Sequence, residues 1–276
     1  MILLEKENYY KLIEPLKKVK INTFFARSVI EKSISGIVYV DNKENPTTFY
    51  IVHPYGMSLL FGNCNNKDFN NNFKNYALNI HKERNSFQWM QTFPNKWNSV
   101  LNELFNDSII KFENNINHTE TGIVELNSRI NFKFNLQKFL DQKEENTDTD
   151  IQIVRTDKEI FRNMKGSVIP YYFWKNENTF LENGIGFSLF YKNKLASTAY
   201  SAFVQVDKLE IGIETIKEFR GKGFAQKSCV ALIHYCLKNN YEPIWACRLE
   251  NIGSYKLAQK LGFEPTLQLP YYRLSN

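Results

Sequence analysis

The sequence predicts an α/β (α+β) fold in which a mostly antiparallel, twisted sheet with helices on both faces follows a smaller α/β domain. Three observations predict this architecture. Runs with an apolar residue at every second position alternate with segments of helical period. One of these runs passes through a glycine-rich turn directly into a helix, and a polar stretch interrupts the chain near its middle. Since 276 residues exceed the usual size of one domain, we expect two domains.

The first domain is predicted to occupy residues 1–140. Its apolar periodicity predicts two helices, three short strands, a helix in an asparagine-rich stretch, and then a strand, a helix and a strand, at residues 5–31, 36–40, 48–53, 57–61, 63–75, 87–93, 95–105 and 109–113. No glycine-rich loop precedes a helix in this half of the sequence. We therefore expect the first domain to lack a cofactor site, because a diphosphate needs such a loop.

Residues 141–150 are polar or charged and include no large apolar side chain, which is typical of a linker. The second domain is then predicted at residues 151–276. Its pattern predicts a strand, a helix, a hairpin, a strand that enters the glycine-rich turn, a helix and two further strands, at residues 151–155, 157–165, 186–191 with 195–203, 209–216, 225–236, 244–248 and 263–274.

The most informative stretch of the sequence is residues 209–225. Apolar residues alternate along its first half, as in a strand with one apolar face, and Arg220-Gly221-Lys222-Gly223 follows where the chain turns. Two residues without Cβ let successive N–H groups converge, and a helix N-terminus adds about half a positive charge. The stretch therefore predicts a diphosphate site. Gln226 stands where a Walker loop and a Rossmann fingerprint both need glycine, so neither motif is present.

Arg220-x-x-Gly223-x-Ala225 after a strand resembles the first motif of the GNAT superfamily of acyl-CoA N-acyltransferases. Residues 251–263, which begin Asn-Ile-Gly-Ser and end Leu-Gly-Phe, resemble the second GNAT motif in the expected order. Further segments are similar to the zwittermicin-resistance-type branch: Phe173-Trp174, Phe180-Leu181, Gly184-Ile185-Gly186-Phe187 and Glu210-Ile211-Gly212-Ile213-Glu214-Thr215. The resemblance covers about residues 150–276. It implies a GNAT-like sheet there, and the order of elements in residues 1–140 is like a degenerate GNAT half.

The resemblance implies acetyl-CoA as co-substrate and indicates which residues hold it. Ile213, Glu214 and Thr215 would present backbone groups to the pantetheine arm. Asn251 and Ser254 would touch the pantetheine or adenosine end, although helix capping is an open alternative because Asn is a preferred N-cap. The residues implied to hold the pyrophosphate are Arg220, Gly221, Lys222, Gly223, Phe224 and Ala225.

Three residues are candidates for the chemistry. An alkylammonium is mostly protonated at neutral pH, so a carboxylate that accepts its proton accelerates acyl transfer. Glu210 is the first candidate base, near where some GNAT enzymes carry theirs, and Glu214 shares its strand face. Solvation or ion pairing of both carboxylates is the alternative. The usual GNAT general acid, a tyrosine, is replaced by Ala258; Tyr255, nearly one turn earlier, is the candidate substitute, and ordinary packing is its alternative.

The predicted activity is N-acetylation of the primary amine of a small molecule by direct transfer, and the alternative is a non-catalytic acyl-CoA-binding or regulatory module. The net charge of +6 falls short of the basic stripe that is typical of nucleic-acid binding. No run of eighteen apolar residues is present and acidic residues come early, so we expect no membrane span, no signal peptide and a cytoplasmic location. The cysteines and histidines lack metal-ligand spacing, so we expect no metal.

Overall fold

The chain folds into two compact units in the computed structural model, which describes residues 1–112, 122–141 and 149–276. The first unit comprises residues 1–129, 248–250 and 268–276, and the second comprises residues 130–247 and 251–267. Residues 142–148 of the predicted linker and residue 113 at the end of a predicted strand lie outside the described residues. The division into domains at residues 140 and 151 stays a prediction of the sequence.

The first unit begins with a short strand and three short helical segments and continues as strands and helices in alternation. A 3-10 helix, Lys6–Leu12, follows β1, and another, Asn106–Ser108, follows α4. The bounds are β1 Ile2–Leu3, α1 Ile13–Lys17, α2 Phe24–Ile30, β2 Ile37–Val40, β3 Thr48–Val52, β4 Met57–Gly62, α3 Lys67–Ala77, β5 Gln88–Phe93, α4 Lys96–Phe105 and β6 Ile109–Lys111.

The first unit is built on a meander with one parallel addition. β2, β3 and β4 are antiparallel neighbours, and β5 lies parallel to β4. Apolar side chains of α3 and α4 form a core with those of the strands because both helices carry an apolar stripe. The largest fully buried side chains of this core are Tyr50, Phe69, Phe73, Trp97, Phe105 and Tyr272.

The second unit holds the remaining helices and strands, and β7, β12 and β13 contribute residues to both units. Two 3-10 helices lie at Pro170–Tyr172 and Lys217–Phe219. The bounds are β7 Val124–Phe134, α5 Leu136–Leu140, β8 Ile151–Arg155, α6 Lys158–Asn163, α7 Glu177–Asn183, β9 Gly186–Tyr191, β10 Lys194–Gln205, β11 Lys208–Thr215, α8 Phe224–Lys238, β12 Glu242–Arg248, α9 Ile252–Lys260 and β13 Phe263–Leu274.

The sheet of the second unit has helical segments on both faces. β8, β9, β10 and β11 are sequential antiparallel neighbours, and β12 lies parallel to β11. On one face, Phe219 of the second 3-10 helix and Phe224 at the start of α8 pack with Leu189 and Ala196. On the other face the Phe173 ring packs against Tyr200, at 5.8 Å between centroids. This confirms the predicted mostly antiparallel sheet with helices on both faces.

The two units repeat one order of elements. Each contains three consecutive antiparallel strands, β2–β4 and β9–β11, followed by a helix, a strand parallel to the last of the three, and a helix. The expectation of a GNAT-like first half is confirmed at this level. One expectation within it is corrected: residues 6–12 form a 3-10 helix, and α1 has only five residues. The asparagine-rich helix begins at Lys67 rather than at 63, because the Asn66 side chain caps it.

Candidate active site

The two parallel strands of the second unit, β11 and β12, pair only along their first residues. β11 and β12 pair at three positions only, Lys208 with Glu242, Leu209 with Pro243 and Glu210 with Ile244. β11 then runs on for five more residues, to Thr215, while it remains paired with β10. The side of β11 that faces away from β10 is therefore an edge beyond Ile211, and an edge offers backbone N–H and C=O groups to a ligand.

The register identifies the groups on this edge. Ile216 donates its N–H to Ala196, and the antiparallel pairs continue with Glu214 opposite Thr198 and Gly212 opposite Tyr200. In an antiparallel ladder every second residue turns its N–H and C=O to the partner strand, so the residues between them face the other way. The N–H groups of Ile213 and Thr215 consequently point to the open edge, while that of Ile211 still faces β12 at the last parallel pair. The hydrogen bond of the Thr215 carbonyl is consistent with this direction, because the carbonyl accepts from the Arg220 side chain at 3.0 Å.

The glycine-rich loop joins this strand to α8. Gly221 and Gly223 both have φ of +79°, and Gly223 is the N-cap of α8. A Cβ built on either residue meets no atom within 4 Å, so the space above the loop is open. The first turn of α8 has no acidic residue. Its N–H groups and the helix dipole are thus directed at a site that suits an anion.

Two cationic side chains beside the loop, those of Arg220 and Lys222, have different kinds of contact. The Arg220 side chain, 61% exposed, donates from Nε to the Thr215 carbonyl and from Nη2 to Glu214 Oε1 at 3.3 Å. The Lys222 ammonium lies 5.4 Å from the centre of the Phe219 ring and 5.8 Å from that of Tyr191. Arg220 is therefore held in one orientation by β11, whereas Lys222 rests on aromatic rings.

In the first unit, the corresponding strands and helix start lack the features that suit an anion. β4 and β5 pair at five consecutive positions, from Met57 with Trp89 to Phe61 with Phe93, so the parallel strands stay together. The α3 N-terminus is capped by the Asn66 side chain, which accepts from the Phe69 N–H at 3.0 Å, and its first turn carries Asp68. A capped helix start with a carboxylate beside it disfavours an anion.

Glu210 lies at the point where β11 and β12 diverge. It is 6% exposed and belongs to the last of the three parallel pairs. On the same face of β11 follows Gly212, over which the Tyr200 ring lies so closely that a Cβ at 212 would be 2.5 Å from the ring. Glycine at this position is required by the approach of the ring.

Glu214, the second candidate base, is bound on both sides. Its Oε2 accepts from the N–H of Ser167 at 2.9 Å, the N–H of Val168 at 2.8 Å and the Ser167 hydroxyl at 3.3 Å. Its Oε1 accepts from Arg220. The carboxylate is 7% exposed. Sequence reasoning did not include Ser167 and Val168, and the Gly-Ser pair at 166 and 167 was the available signal of a tight loop.

The candidates on α9 have contacts of their own. Asn251 caps the helix, since its Oδ1 accepts from the Ser254 N–H at 3.1 Å. The Ser254 hydroxyl accepts from the Trp245 indole at 3.2 Å. The Tyr255 ring packs edge-on against Phe132, at 5.4 Å between centroids. The capping and packing alternatives thus describe real contacts, which leave the Asn251 amide NH₂ and the Tyr255 hydroxyl for a ligand.

Comparison with known proteins decides the family. A family model for GNAT acetyltransferases matches residues 14–272. The chain belongs to this family. It is 27% identical to the uncharacterized N-acetyltransferase YdfB of Bacillus subtilis (strain 168). The aligned 252 residues cover 90% of this chain and 89% of that relative.

Solved GNAT structures share the fold over nearly the whole length. A GCN5-related N-acetyltransferase-like protein from Streptococcus suis superimposes with a TM-score of 0.67 at 20% identity, covering 97% of this chain and 99% of that chain. A tandem GNAT protein from the clavulanic acid biosynthesis pathway gives a TM-score of 0.63 at 8% identity, covering 99% and 97%. The similarity includes the first unit, which sequence motifs alone did not reach.

As a GNAT acetyltransferase, the chain is an N-acetyltransferase that uses acetyl-CoA as its co-substrate. The second unit fits this molecule, because an open strand edge lies beside an open glycine loop and a helix start without acidic residues. Among residues 1–112, 122–141 and 149–276, no helix is long and apolar enough to cross a membrane. Within the same described residues, no group of three His, Cys, Asp or Glu side chains is arranged to hold a metal ion.

Proposed function

We propose that the second unit transfers the acetyl group of acetyl-CoA directly to the primary amine of a small molecule. The observation that carries this proposal is the position of a buried carboxylate, Glu210, where β11 and β12 diverge on the strand that leads to the glycine loop. Direct acetyl transfer needs a base, an open strand edge and an anion site, and residues 210–225 supply all three.

The backbone of β11 and the loop hold the co-substrate in this proposal. The edge N–H groups of Ile213 and Thr215 pair with the pantetheine arm, and one of them donates to the thioester oxygen, where negative charge develops. The N–H groups of Gly221 to Ala225 hold the pyrophosphate, with Arg220 and Lys222 beside them. Asn251 and Ser254 contact the pantetheine or adenosine end.

Glu210 acts as the general base. An aliphatic amine has a pKa near 10.4, so at neutral pH it arrives as an ammonium ion and cannot attack. The Glu210 carboxylate takes that proton, directly or through a water, and the freed nitrogen forms its bond to the acetyl carbon while the carbon–sulfur bond breaks. Burial of the base in a face shared with Tyr200 and Gly212 keeps bulk water from competing for the proton.

Tyr255 is the proposed donor of a proton to the departing thiolate. Tyr255→Phe removes the hydroxyl and keeps the ring on Phe132. We expect kcat to fall by about tenfold, less than the usual 10²- to 10⁴-fold effect of general acid–base catalysis, because a thiol of pKa near 8.5 leaves readily. The measurement is steady-state release of free CoA.

The matched control for this replacement is Tyr235→Phe. Tyr235 also lies on a helix of the second unit and packs on a phenylalanine, Phe187, at 6.1 Å. It should leave kcat unchanged. Equal turnover in Tyr255→Phe and the wild type would remove Tyr255 from the catalytic residues and leave it as a packing residue.

The acceptor class rests on the similarity of four segments to the zwittermicin-resistance-type branch, to which we propose the chain belongs. By that analogy the acceptor is an aminated antibiotic or a related small amine. Two aromatic residues, Phe173 and Trp174, lie on the sheet face that carries Glu210 and support an acceptor with an apolar body. Phe173 packs on Tyr200, and the Trp174 indole donates to the Ser201 carbonyl at 2.7 Å.

A panel of acceptors tests the proposal. The purified chain with acetyl-CoA should release free CoA when given small primary amines, including aminated antibiotics, and the product should gain one acetyl group by mass. The same compounds with the amine already acetylated should give no release. A polypeptide with a free N-terminus or lysine, acetylated in preference to every small amine, would contradict the small-molecule class while it left the acetyltransferase intact.

The first unit has no acetyl-CoA site in this proposal. Its parallel strands stay paired, and its helix start is capped by Asn66 and flanked by Asp68. We therefore expect one bound acetyl-CoA per chain.

A further inference from the structure

Glu214 connects the glycine loop to a segment that lies 47 residues before Glu214 in the sequence. One carboxylate oxygen binds the Ser167–Val168 backbone and the other binds Arg220 at the start of the glycine loop. The carboxylate is buried, so these hydrogen bonds are shielded from solvent and each counts for more than at the surface. A mobile base would need at least one oxygen turned to the incoming amine, whereas both Glu214 oxygens are already engaged.

On one side, Glu214 fixes residues 166–174, here called the 166–174 segment. Gly166 approaches the Glu214 side chain so closely that a Cβ there would lie 2.6 Å from its carboxyl carbon, and its φ is +153°. The segment continues to Phe173 and Trp174 on the sheet face that carries Glu210. The hydrogen bonds to Glu214 therefore hold the start of the 166–174 segment on that face.

On the other side, Glu214 orients Arg220. The guanidinium presents Nε and Nη2 to β11, one to the Thr215 carbonyl and one to Glu214. A guanidinium is planar and carries five N–H donors, so its remaining edge is turned away from the strand. Arg220 directly precedes the Gly221–Gly223 loop, where an anionic group of the co-substrate is proposed to bind.

We propose that Glu214 is a positioning residue that couples co-substrate binding to the order of the 166–174 segment. A diphosphate held by Arg220 fixes the guanidinium, the fixed guanidinium fixes the Glu214 carboxylate, and the carboxylate holds the Ser167 and Val168 N–H groups in place. Acetyl-CoA thereby prepares the face that receives the amine. This inference rests on the proposed function of the same site.

The coupling has a thermodynamic consequence. If acetyl-CoA tightens the 166–174 segment, then a ligand that needs the ordered segment tightens acetyl-CoA binding by the same factor. The entropy of ordering the segment is lost when the first ligand binds, so the second ligand does not have to supply it. Acetyl-CoA and the amine should therefore bind cooperatively.

Glu214→Gln tests this connection with little change of volume. An amide has one acceptor oxygen, so it serves either Arg220 or the Ser167–Val168 N–H groups and turns an NH₂ donor toward the other. Whichever way the amide turns, the two sides are uncoupled. The measurement is hydrogen exchange of residues 166–174 and 221–227 in the whole chain, with and without acetyl-CoA, beside calorimetric acetyl-CoA binding.

In the wild type we expect acetyl-CoA to slow exchange in both regions. In Glu214→Gln we expect affinity to fall by about tenfold, as for loss of one charge-assisted hydrogen bond, and at saturating acetyl-CoA the protection should remain at 221–227 and be absent at 166–174. The control is Glu218→Gln, which removes the same charge from an exposed residue four positions away. It should behave as the wild type does.

Gly166→Ala separates the two sides from the opposite direction. Its Cβ would displace the segment from Glu214 and leave the Glu214–Arg220 pair, so acetyl-CoA affinity should stay within about twofold of wild type while the protection at 166–174 disappears. Wild-type protection at 166–174 in Glu214→Gln would overturn the coupling. Failure of the wild type to bind acetyl-CoA would instead overturn the proposed site, so the two outcomes are distinct.

Discussion

Replacement of Gly221 and Gly223 by Asp together should abolish acetyl-CoA binding, with Kd raised at least about 100-fold. Both residues have φ of +79°, a conformation that costs a side-chain-bearing residue about 1–2 kcal/mol. Two carboxylates also enter the space that the diphosphate needs, each repelling it by about 1–4 kcal/mol at 4 Å near a protein surface. Since 1.4 kcal/mol is tenfold, these terms together exceed a 100-fold loss.

Two control variants divide this loss between strain and charge. Gly221→Ala with Gly223→Ala has the same backbone cost without the charges. Gly122→Asp, in the first unit, adds a carboxylate at φ +80° where a Cβ again meets nothing within 4 Å. Calorimetry should give one site per chain in the wild type and in Gly122→Asp, intermediate binding in the alanine pair and none in the aspartate pair.

Two outcomes would contradict the proposed diphosphate site at the glycine loop. Binding of acetyl-CoA to the aspartate pair with wild-type affinity would mean that the loop is only a turn. A stoichiometry of two in the wild type would mean that the first unit holds the co-substrate despite its paired strands and capped helix. Thermal unfolding of all variants, measured alongside, separates loss of the site from loss of the fold.

The fold followed from the sequence wherever one periodicity dominated. The alternation in residues 209–216 and the helical stripe after residue 225 correspond to β11 and α8 because local pattern and tertiary burial agree there. The hairpin of β9 and β10 was predicted within a few residues, since Lys192 and Asn193 take the positive φ that the turn between these strands needs.

Other elements were missed for identifiable reasons. β7 follows a stretch without strong signals, although Val124, Leu126, Ile130 and Phe132 do fall on every second position of this strand. α7 has only seven residues, too short for a helical period to show, and its capping box at Asn176 and Thr179 was the stronger signal. The 3-10 helix before α1 was read as an α-helix because its apolar spacing is nearly the same.

The candidate site could be predicted only as far as consecutive residues define it. The glycine loop and the strand before it are local, so the sequence located them. The divergence of β11 from β12 after Glu210 depends on a strand about 30 residues later, and the hydrogen bonds of Glu214 to Ser167 and Val168 join residues 46 and 47 positions apart. Such long-range pairs leave no periodic trace in one sequence, and Gly166 was the only local sign.

Replacement of Glu210 by Gln should lower kcat by about 10²- to 10³-fold at pH 7, within the range of general-base catalysis. Acetyl-CoA affinity should change little, because the co-substrate is proposed to bind backbone groups farther along β11 and the loop. The control Glu242→Gln removes a charge from the same strand pair, where Glu242 forms an ion pair with Lys208 at 3.2 Å. It should keep the wild-type kcat.

The pH dependence decides whether Glu210 works as a base. Without the carboxylate, only the fraction of acceptor that is already neutral reacts, and this fraction rises about tenfold per pH unit below an amine pKa near 10.4. The deficit of Glu210→Gln should therefore shrink steadily from pH 7 to pH 9, as the wild type loses its advantage in removing the proton. A deficit that stays constant over this range would show that Glu210 supports the sheet rather than the chemistry, because a packing defect does not depend on the protonation of the acceptor.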